Sequence, residues 1–474
     1  MTYCLFHFTF FNAQTLINIE HQKFSSDAFP SLYTDLFSDH SDTLYRNNRE
    51  NFNVNWSPHL IYAYEDNVFA HQTGFQFNFF ATYQNYIDLH LHCKAGLSNA
   101  NSNAYESVLQ SKAYFFQELD TNVNLFQDLR FRWIWRTNKF IQFHFGIDKH
   151  KIGEGNRSLF LGNEGIASPF VMLKSSFWKL EYLYIHQILR EGKTTHYMPK
   201  GNAQHLLQFN WNKNLSLAFF ENVGYIIKDT LYDRGLEWEY WNPTIFFRPQ
   251  EYSLGSSDNV NMGFQMTVRF KKNMFYAQFI LDEFLLSQIK ARSRWQHNKY
   301  GVQFGFKKEL NIKNRPLFWR IECNIVRPYT YSHKDFNTSY SNQSLPLAHP
   351  LGSNFAEFFN EIFISGKWLN TYFFTQFYLK GNDIVGNKTS YGGDLLKSYS
   401  DKPEGQEFGF KIGSGEKTYR LQIGTKFVKT IFNKRWNLFV EPRLILEKRK
   451  PTIENKVFVT VGLTSRFLEE WRNY

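Results

Sequence analysis

From Tyr86 to Leu97 apolar and polar side chains alternate without a break. Ile87, Leu89, Leu91, Cys93, Ala95 and Leu97 fall on one face of an extended strand, and Asp88, His90, His92, Lys94 and Gly96 fall on the other. Successive strand side chains point to opposite faces, so this segment has one apolar wall and one wet wall. The pattern recurs along the chain. Phe75, Phe77, Phe79, Ala81 and Tyr83 oppose Gln76, Asn78 and Thr82; Leu125, Leu129, Phe131, Trp133 and Trp135 oppose Asp128, Arg130, Arg132 and Arg136. Ile141, Phe143, Phe145 and Ile147 oppose Gln142, His144, Gly146 and Asp148, and Met262, Phe264, Met266 and Val268 oppose Gly263, Gln265, Thr267 and Arg269. Leu317, Trp319, Ile321, Cys323 and Ile325 oppose Arg320, Glu322 and Asn324, and near the end Val457, Val459, Val461, Leu463 and Phe467 oppose Phe458, Thr460, Gly462, Thr464 and Arg466.

Composition narrows what so many two-faced strands can build. Aromatics make up 19% of the 474 residues, with 51 Phe and 27 Tyr, yet mean hydropathy is -0.46. No run approaches the ~18 apolar residues of a membrane helix, which excludes a helical membrane protein. A polar average with an aromatic-rich apolar phase is what a transmembrane barrel gives, because only alternate residues meet lipid. Short hairpins such as Asn212-Lys213-Asn214 and Lys271-Lys272 alternate with long connections near 148–167, 223–259, 282–298, 327–355 and 380–405. That asymmetry separates short periplasmic turns from long extracellular loops. The fold expected is all-β, a closed antiparallel transmembrane β-barrel of about 18 strands (16–20) in the outer membrane. Strand phase slips between Gly381 and Lys434, so the bounds expected for at least one strand there do not fit the pattern.

Residues 1–14 read as a secretory leader, with apolar Tyr3 to Phe11 ahead of Asn12-Ala13-Gln14; the missing basic n-region implies a truncated start, and a buried first strand is the other reading. Residues 15–54 lack either period and are expected to form a periplasmic lead-in or a plug. Residues 55–467 form the barrel and 468–474 a C-terminal tail. Cys4 lies in the leader, and Cys93 and Cys323 sit on apolar faces as small hydrophobes. The net charge of +11 is spread without a basic run, which argues against nucleic acid and leaves lipopolysaccharide head groups or an anionic surface glycan as partners.

Expected lumen-lining residues are His90, His92, Arg130, Arg132, His144, Arg269, Arg320 and Arg466, with Arg136 and Arg420 beside them. An open ring of this size would pass anions along those arginines, so a general diffusion porin is one hypothesis. The histidines invite a metal site, but no cysteine or tight His/Asp spacing supports one, and no cofactor is expected. Asp282 and Glu283 end a strand, while His333, Asp335 and His349 lie in a long connection; a rim hydrolase would use such groups. The plainer reading pairs the rim carboxylates with Arg327 or with divalent cations. No catalytic residue is assigned. Gly153 and Gly155 permit positive backbone angles, and Arg157 can fold over a carboxylate. The connection from Tyr225 to Val260 carries Trp238, Tyr240, Trp241, Phe246 and Phe247 with Arg248, Glu251 and Asp258. It is either a plug folded into the lumen or a platform on which sugar rings stack.

The stretch Gly146, Asp148, Gly153, Gly155, Arg157, Ser158, Leu159, Leu161 resembles the signature of the Wzi-type capsule-assembly barrels, especially relatives in Bacteroidota. Asn242-Pro243 through Arg248, Glu251 to Asn259, Leu281 to Phe284, Arg327 to His333 and Ala348 to Gly352 resemble the branch known as gliding-motility outer-membrane protein RemB. The resemblance spans roughly residues 140–360 and departs from the enterobacterial pattern at Lys151-Ile152, where aromatics are expected. It implies a Gram-negative, non-enzymatic barrel in surface polysaccharide (capsule) attachment or assembly, or in gliding, with partners among lipopolysaccharide, surface polysaccharide and gliding or secretion machinery. Candidate glycan contacts are then Arg157, Trp238, Tyr240, Trp241, Arg248, Glu251, Asp258, Arg327, Tyr329 and His333.

Overall fold

The computed structural model describes residues 50–465 apart from 66–67, 85, 100–114, 121–122, 192–197, 229–233, 244–246, 248–257, 284, 314, 432–435 and 450, together with 33–34 and 45–46. The leader, most of the lead-in, Cys4, Arg248, Glu251, Arg466 and the C-terminal tail lie outside the described residues.

Eighteen strands close into one antiparallel barrel. They are β1 (Glu50–Glu65), β2 (Val68–Tyr83), β3 (Ile87–Ser98), β4 (Val123–Arg136), β5 (Ile141–Asp148) and β6 (Ser168–Phe177). Next come β7 (Leu180–Glu191), β8 (Met198–Asn210), β9 (Leu215–Ile226), β10 (Asn259–Phe270), β11 (Asn273–Glu283) and β12 (Lys299–Ile312). The last six are β13 (Arg315–Val326), β14 (Phe355–Ile364), β15 (Asn370–Asn382), β16 (Glu416–Ile431), β17 (Trp436–Arg449) and β18 (Thr452–Ser465). Each pairs with its sequence neighbour, and β18 closes on β1 from Phe458 opposite Glu65 to Leu463 opposite Leu60. Closure leaves no unpaired edge, which is the condition for spanning lipid with strands.

Burial follows the alternation in the sequence. In β3 Asp88, His90, His92 and Lys94 are buried while their neighbours stay partly exposed. In β4 Asp128, Arg130 and Arg132 are buried between exposed Leu129, Trp133 and Trp135. The exposed phase is the lipid-facing one, and exposed Trp135, Phe177, Trp178, Trp211 and Phe270 collect at the end with short turns. Two-residue turns at 178–179 and 271–272 begin with left-handed Trp178 (φ 53°) and Lys271 (φ 52°), the backbone twist that tight hairpins need. The other end carries the connections 149–167, 227–258, 284–298, 327–354 and 383–415.

Two boundaries differ from the sequence reading. The barrel begins at Glu50, inside the expected lead-in. The expected loop 380–405 runs on to 415, and the phase slip arises there: β16 starts only at Glu416, after a loop with six left-handed glycines from Gly386 to Gly415.

Candidate functional site

The wet phase of the strands encloses a core built by two loops. Residues 149–167 leave β5, and Lys151–Ile152 pairs with Tyr33–Thr34 of the lead-in. Leu159, Phe160 and Leu161 are buried against inward Phe170, Met172, Leu183, Ile185, Leu206, Phe220 and Ile280. Tyr331, Tyr340, Leu347 and Ala348 from loop 327–354 complete the cluster. Phe160 stacks on Phe220 with ring centroids 4.7 Å apart. A Cβ at Gly263 would lie 2.3 Å from the Phe160 ring, so that lumen position must be glycine.

Polar groups lock the loop to the wall. Glu322 accepts the backbone N–H groups of Asn156 at 2.8 Å and Arg157 at 3.2 Å, and the Tyr276 hydroxyl at 2.7 Å. Gln278 accepts the Leu159 N–H at 2.8 Å, and Gln303 donates to the Arg157 carbonyl at 3.1 Å. Tyr331 and Tyr340 donate to the carbonyls of Leu159 and Phe160, each at 2.8 Å. Glu154 sits between Arg269 and Lys307, 3.1 Å from each, and all three are buried. Gly153 takes the expected positive angle (φ 127°), but Gly155 is there for closeness, since a Cβ would lie 2.5 Å from Glu322 Oε2.

Arg157 folds over Glu164 at 3.7 Å, as its spacing allowed, and over the Phe359 ring at 5.5 Å. It is fully buried, so it braces the loop and presents nothing to an outside ligand. Each described lumen arginine is likewise tied to a carboxylate. Arg130 meets Asp128, Arg132 meets Asp148 at 2.5 Å, Arg136 meets Asp88, Arg320 meets Glu361 at 2.8 Å and Arg420 meets Glu447 at 3.7 Å. Such pairs cancel the field that would draw anions through an open pore. His92 is held by Asn78 at 2.7 Å, His144 lies 3.2 Å from Gln142, and His90 packs edge-on to Phe80. Among the described residues no group of three or more His, Cys, Asp or Glu could hold a metal ion.

Three of the long connections are tied together into a roof at the extracellular end. Arg327 donates to the carbonyls of Asn298 at 2.7 Å, Trp295 at 3.3 Å and Phe410 at 3.4 Å, joining three loops. Buried Tyr329 donates to Ser390 at 2.7 Å. The rim carboxylates pair with Lys299, 3.5 Å from Asp282 and 3.2 Å from Glu283, and His297 adds a 2.9 Å contact to Glu283. Their expected partner Arg327 is instead occupied by backbone oxygens. His333 contacts the Thr338 hydroxyl at 2.7 Å, and its burial lowers its pKa from 6.5 to about 4. His349 is 2.7 Å from Glu357, inside the barrel. Asp282, His333 and His349 therefore serve three separate bracing contacts.

Connection 227–258 is the main departure from expectation. Tyr184, His205, Glu221 and Met262 are register partners in β7 to β10, in phase with exposed Leu180, Leu207 and Phe264. They face outward, and the connection covers them. Trp241 stacks on His186 with centroids 4.2 Å apart, Phe247 stacks on His205 at 4.0 Å, and the Phe247 N–H donates to Glu221 at 3.0 Å. Buried Tyr240 donates to Asp258 at 2.8 Å, and Arg234 braces Asp258 at 3.1 Å. Trp238 alone of this group projects, 74% exposed. The described residues of the segment thus form a strap on the outer wall, where they screen a carboxylate and two imidazoles, and they do not plug the lumen.

This is an outer-membrane β-barrel. No family model and no curated protein matches the chain. Among solved structures the barrel is similar to Wzi, an outer-membrane protein involved in group 1 capsule assembly in Escherichia coli and described as a carbohydrate-binding β-barrel. The TM-score is 0.56 at 12% identity, over 86% of this chain and 84% of that one, a likeness of fold. Pseudomonas aeruginosa OprD gives a TM-score of 0.43 at 10% identity (87% and 95% covered), and OpdK with vanillate from the same organism gives 0.46 at 10% (87% and 98%).

The residues that fix the plug, Glu322, Gln278, Gln303, Tyr276 and Lys307, were not singled out from the sequence. Their only signal is membership of the wet phase, which dozens of other residues share.

Proposed function

We propose that the protein is a non-catalytic, plugged outer-membrane barrel that handles surface polysaccharide on its extracellular roof, in capsule attachment or assembly or in gliding. One observation carries this reading: loop 149–167 is built into the barrel as a braced core, with Glu154 held by Arg269 and Lys307. A lumen closed in this way leaves the roof as the surface that meets external ligands. There, exposed Phe408 lies in the same loop as half-exposed Tyr391 and Tyr399, and exposed Phe336 and half-exposed Trp295 lie in the two loops that Arg327 ties to it. Aromatic faces of this kind stack on sugar rings, with nearby hydroxyl and carboxylate groups taking the sugar hydroxyls. The solved barrel of similar fold is itself described as carbohydrate-binding.

Of the earlier glycan candidates, Arg157, Tyr240 and Tyr329 are buried bracing groups, and Asp258 and His333 are buried beside them. Roof aromatics take their place. A glycan array with the detergent-solubilised barrel should give binding to surface polysaccharide fragments that Tyr399→Ala with Phe408→Ala weakens by tenfold or more, about 1.4 kcal/mol. Binding unchanged in that variant, or none to any polysaccharide, would overturn the reading.

A further inference from the structure

Connection 284–298 carries Lys290, Arg292 and Arg294 and not one acidic residue. None of the three makes an ion pair among the described residues, and all are exposed. The same segment exposes Leu285, Leu286 and Ile289 around the short helix Leu286–Lys290, which buries no residue of its own. Its far side is fixed to the roof: Gly409 and Phe410 donate to the carbonyls of Ser293 and Arg294, and Gln296 donates to Glu407. The carboxylate of Glu407 is already 3.3 Å from Lys402. Segment 285–294 therefore leaves β11 at its extracellular end as an anchored ledge, with apolar and cationic side chains pointing away from the protein.

The charges on this ledge have no counter-ion among the described residues, and Arg294 also opposes the neighbouring charge of Arg327 in the roof. Burial lowers the pKa of Arg327, and the neighbouring charge of Arg294 acts in the same direction. A ledge of three apolar side chains beside three unpaired cations, at the rim of a membrane barrel, suits a ligand with acyl chains below an anionic head group. A soluble anion would leave Leu285, Leu286 and Ile289 in water, and a neutral lipid would leave the cations without partners.

We propose that Leu285 to Arg294 is a docking ledge for a phosphorylated glycolipid of the outer leaflet, with Leu285, Leu286 and Ile289 against the acyl chains and Lys290, Arg292 and Arg294 on the phosphates. The ledge lies outside the plug and does not depend on what the roof binds.

Native mass spectrometry of the detergent-solubilised full chain, titrated with bisphosphorylated lipid A, tests it. Each cation near such a surface contributes about 1 kcal/mol, so Lys290→Gln with Arg292→Gln and Arg294→Gln should weaken binding on the order of a hundredfold. Fully dephosphorylated lipid A should bind the native barrel equally poorly, and Leu286→Ser with Ile289→Ser should also reduce retention of the intact lipid. Heat-modifiable gel mobility reports whether each variant is folded. Equal affinity for lipid A with and without phosphates, native-like binding by the folded triple variant, or displacement by inorganic phosphate alone would each overturn the proposal.

Discussion

Glu154 shows how far a single side chain governs the interior. It is buried between two buried cations, so its removal leaves Arg269 and Lys307 without their shared carboxylate in a low-dielectric site. Glu154→Ala should cost about 3 to 5 kcal/mol in urea unfolding from lipid vesicles, and a change below 1 kcal/mol would contradict the packing described. His333 gives the roof a pH dependence. An open, solvated loop titrates near 6.5, whereas the closed loop holds this imidazole neutral until about pH 4. Between those values the open form binds a proton that the closed form refuses, so closure is fully stable above pH 7 and weakens as pH falls toward 4. Protection factors from amide hydrogen exchange over 333–340, corrected for the intrinsic exchange rate at each pH, should fall across that range in the native barrel and not in His333→Asn; protection independent of pH in the native barrel would contradict the assignment.

At the level of elements, the strands were legible and the loops were not. A period of two states which side chains share a wall, and closure then decides which wall meets lipid: Phe264 and Val461 are exposed, and Leu89 and Phe143 are partly exposed beside buried polar neighbours. A segment without a period carries no sign of the surface it will cover. Tyr240 and Trp241 looked like plug residues and lie on the outer wall, while the shorter glycine-containing loop 149–167 went inside. Its contacts are equally silent in the sequence, since Asn156 meets Glu322 across 166 positions. Two element-scale outcomes follow. Replacing residues 153–161 with a Gly/Ser linker should open the lumen and produce single-channel events absent from the native protein; continued silence from a folded variant would show that this loop is not what closes the barrel. Glu221→Ala should release the strap at Phe247 and make outer-wall residues of β8 and β9 reactive to lipid-phase labels; unchanged labelling would place the strap's anchor elsewhere.

For the whole molecule, the assignment of two walls makes a quantitative demand. Phe264 projects from the middle of β10, and Phe264→Arg should cost about 2 to 4 kcal/mol in a bilayer because the charge meets lipid. Gln265→Arg one position on enters a packed interior and fails for a different reason, by crowding the Gln278 side chain that holds Leu159. The two walls, the arginine–carboxylate pairs between neighbouring strands of the lumen wall and the braced loop all support the proposal of a plugged barrel that spans the membrane without conducting. Planar-bilayer recording of the purified native protein tests that most directly: a silent membrane at protein levels where the variant lacking residues 153–161 conducts is the expected result, and stable, large openings of the native barrel would contradict it.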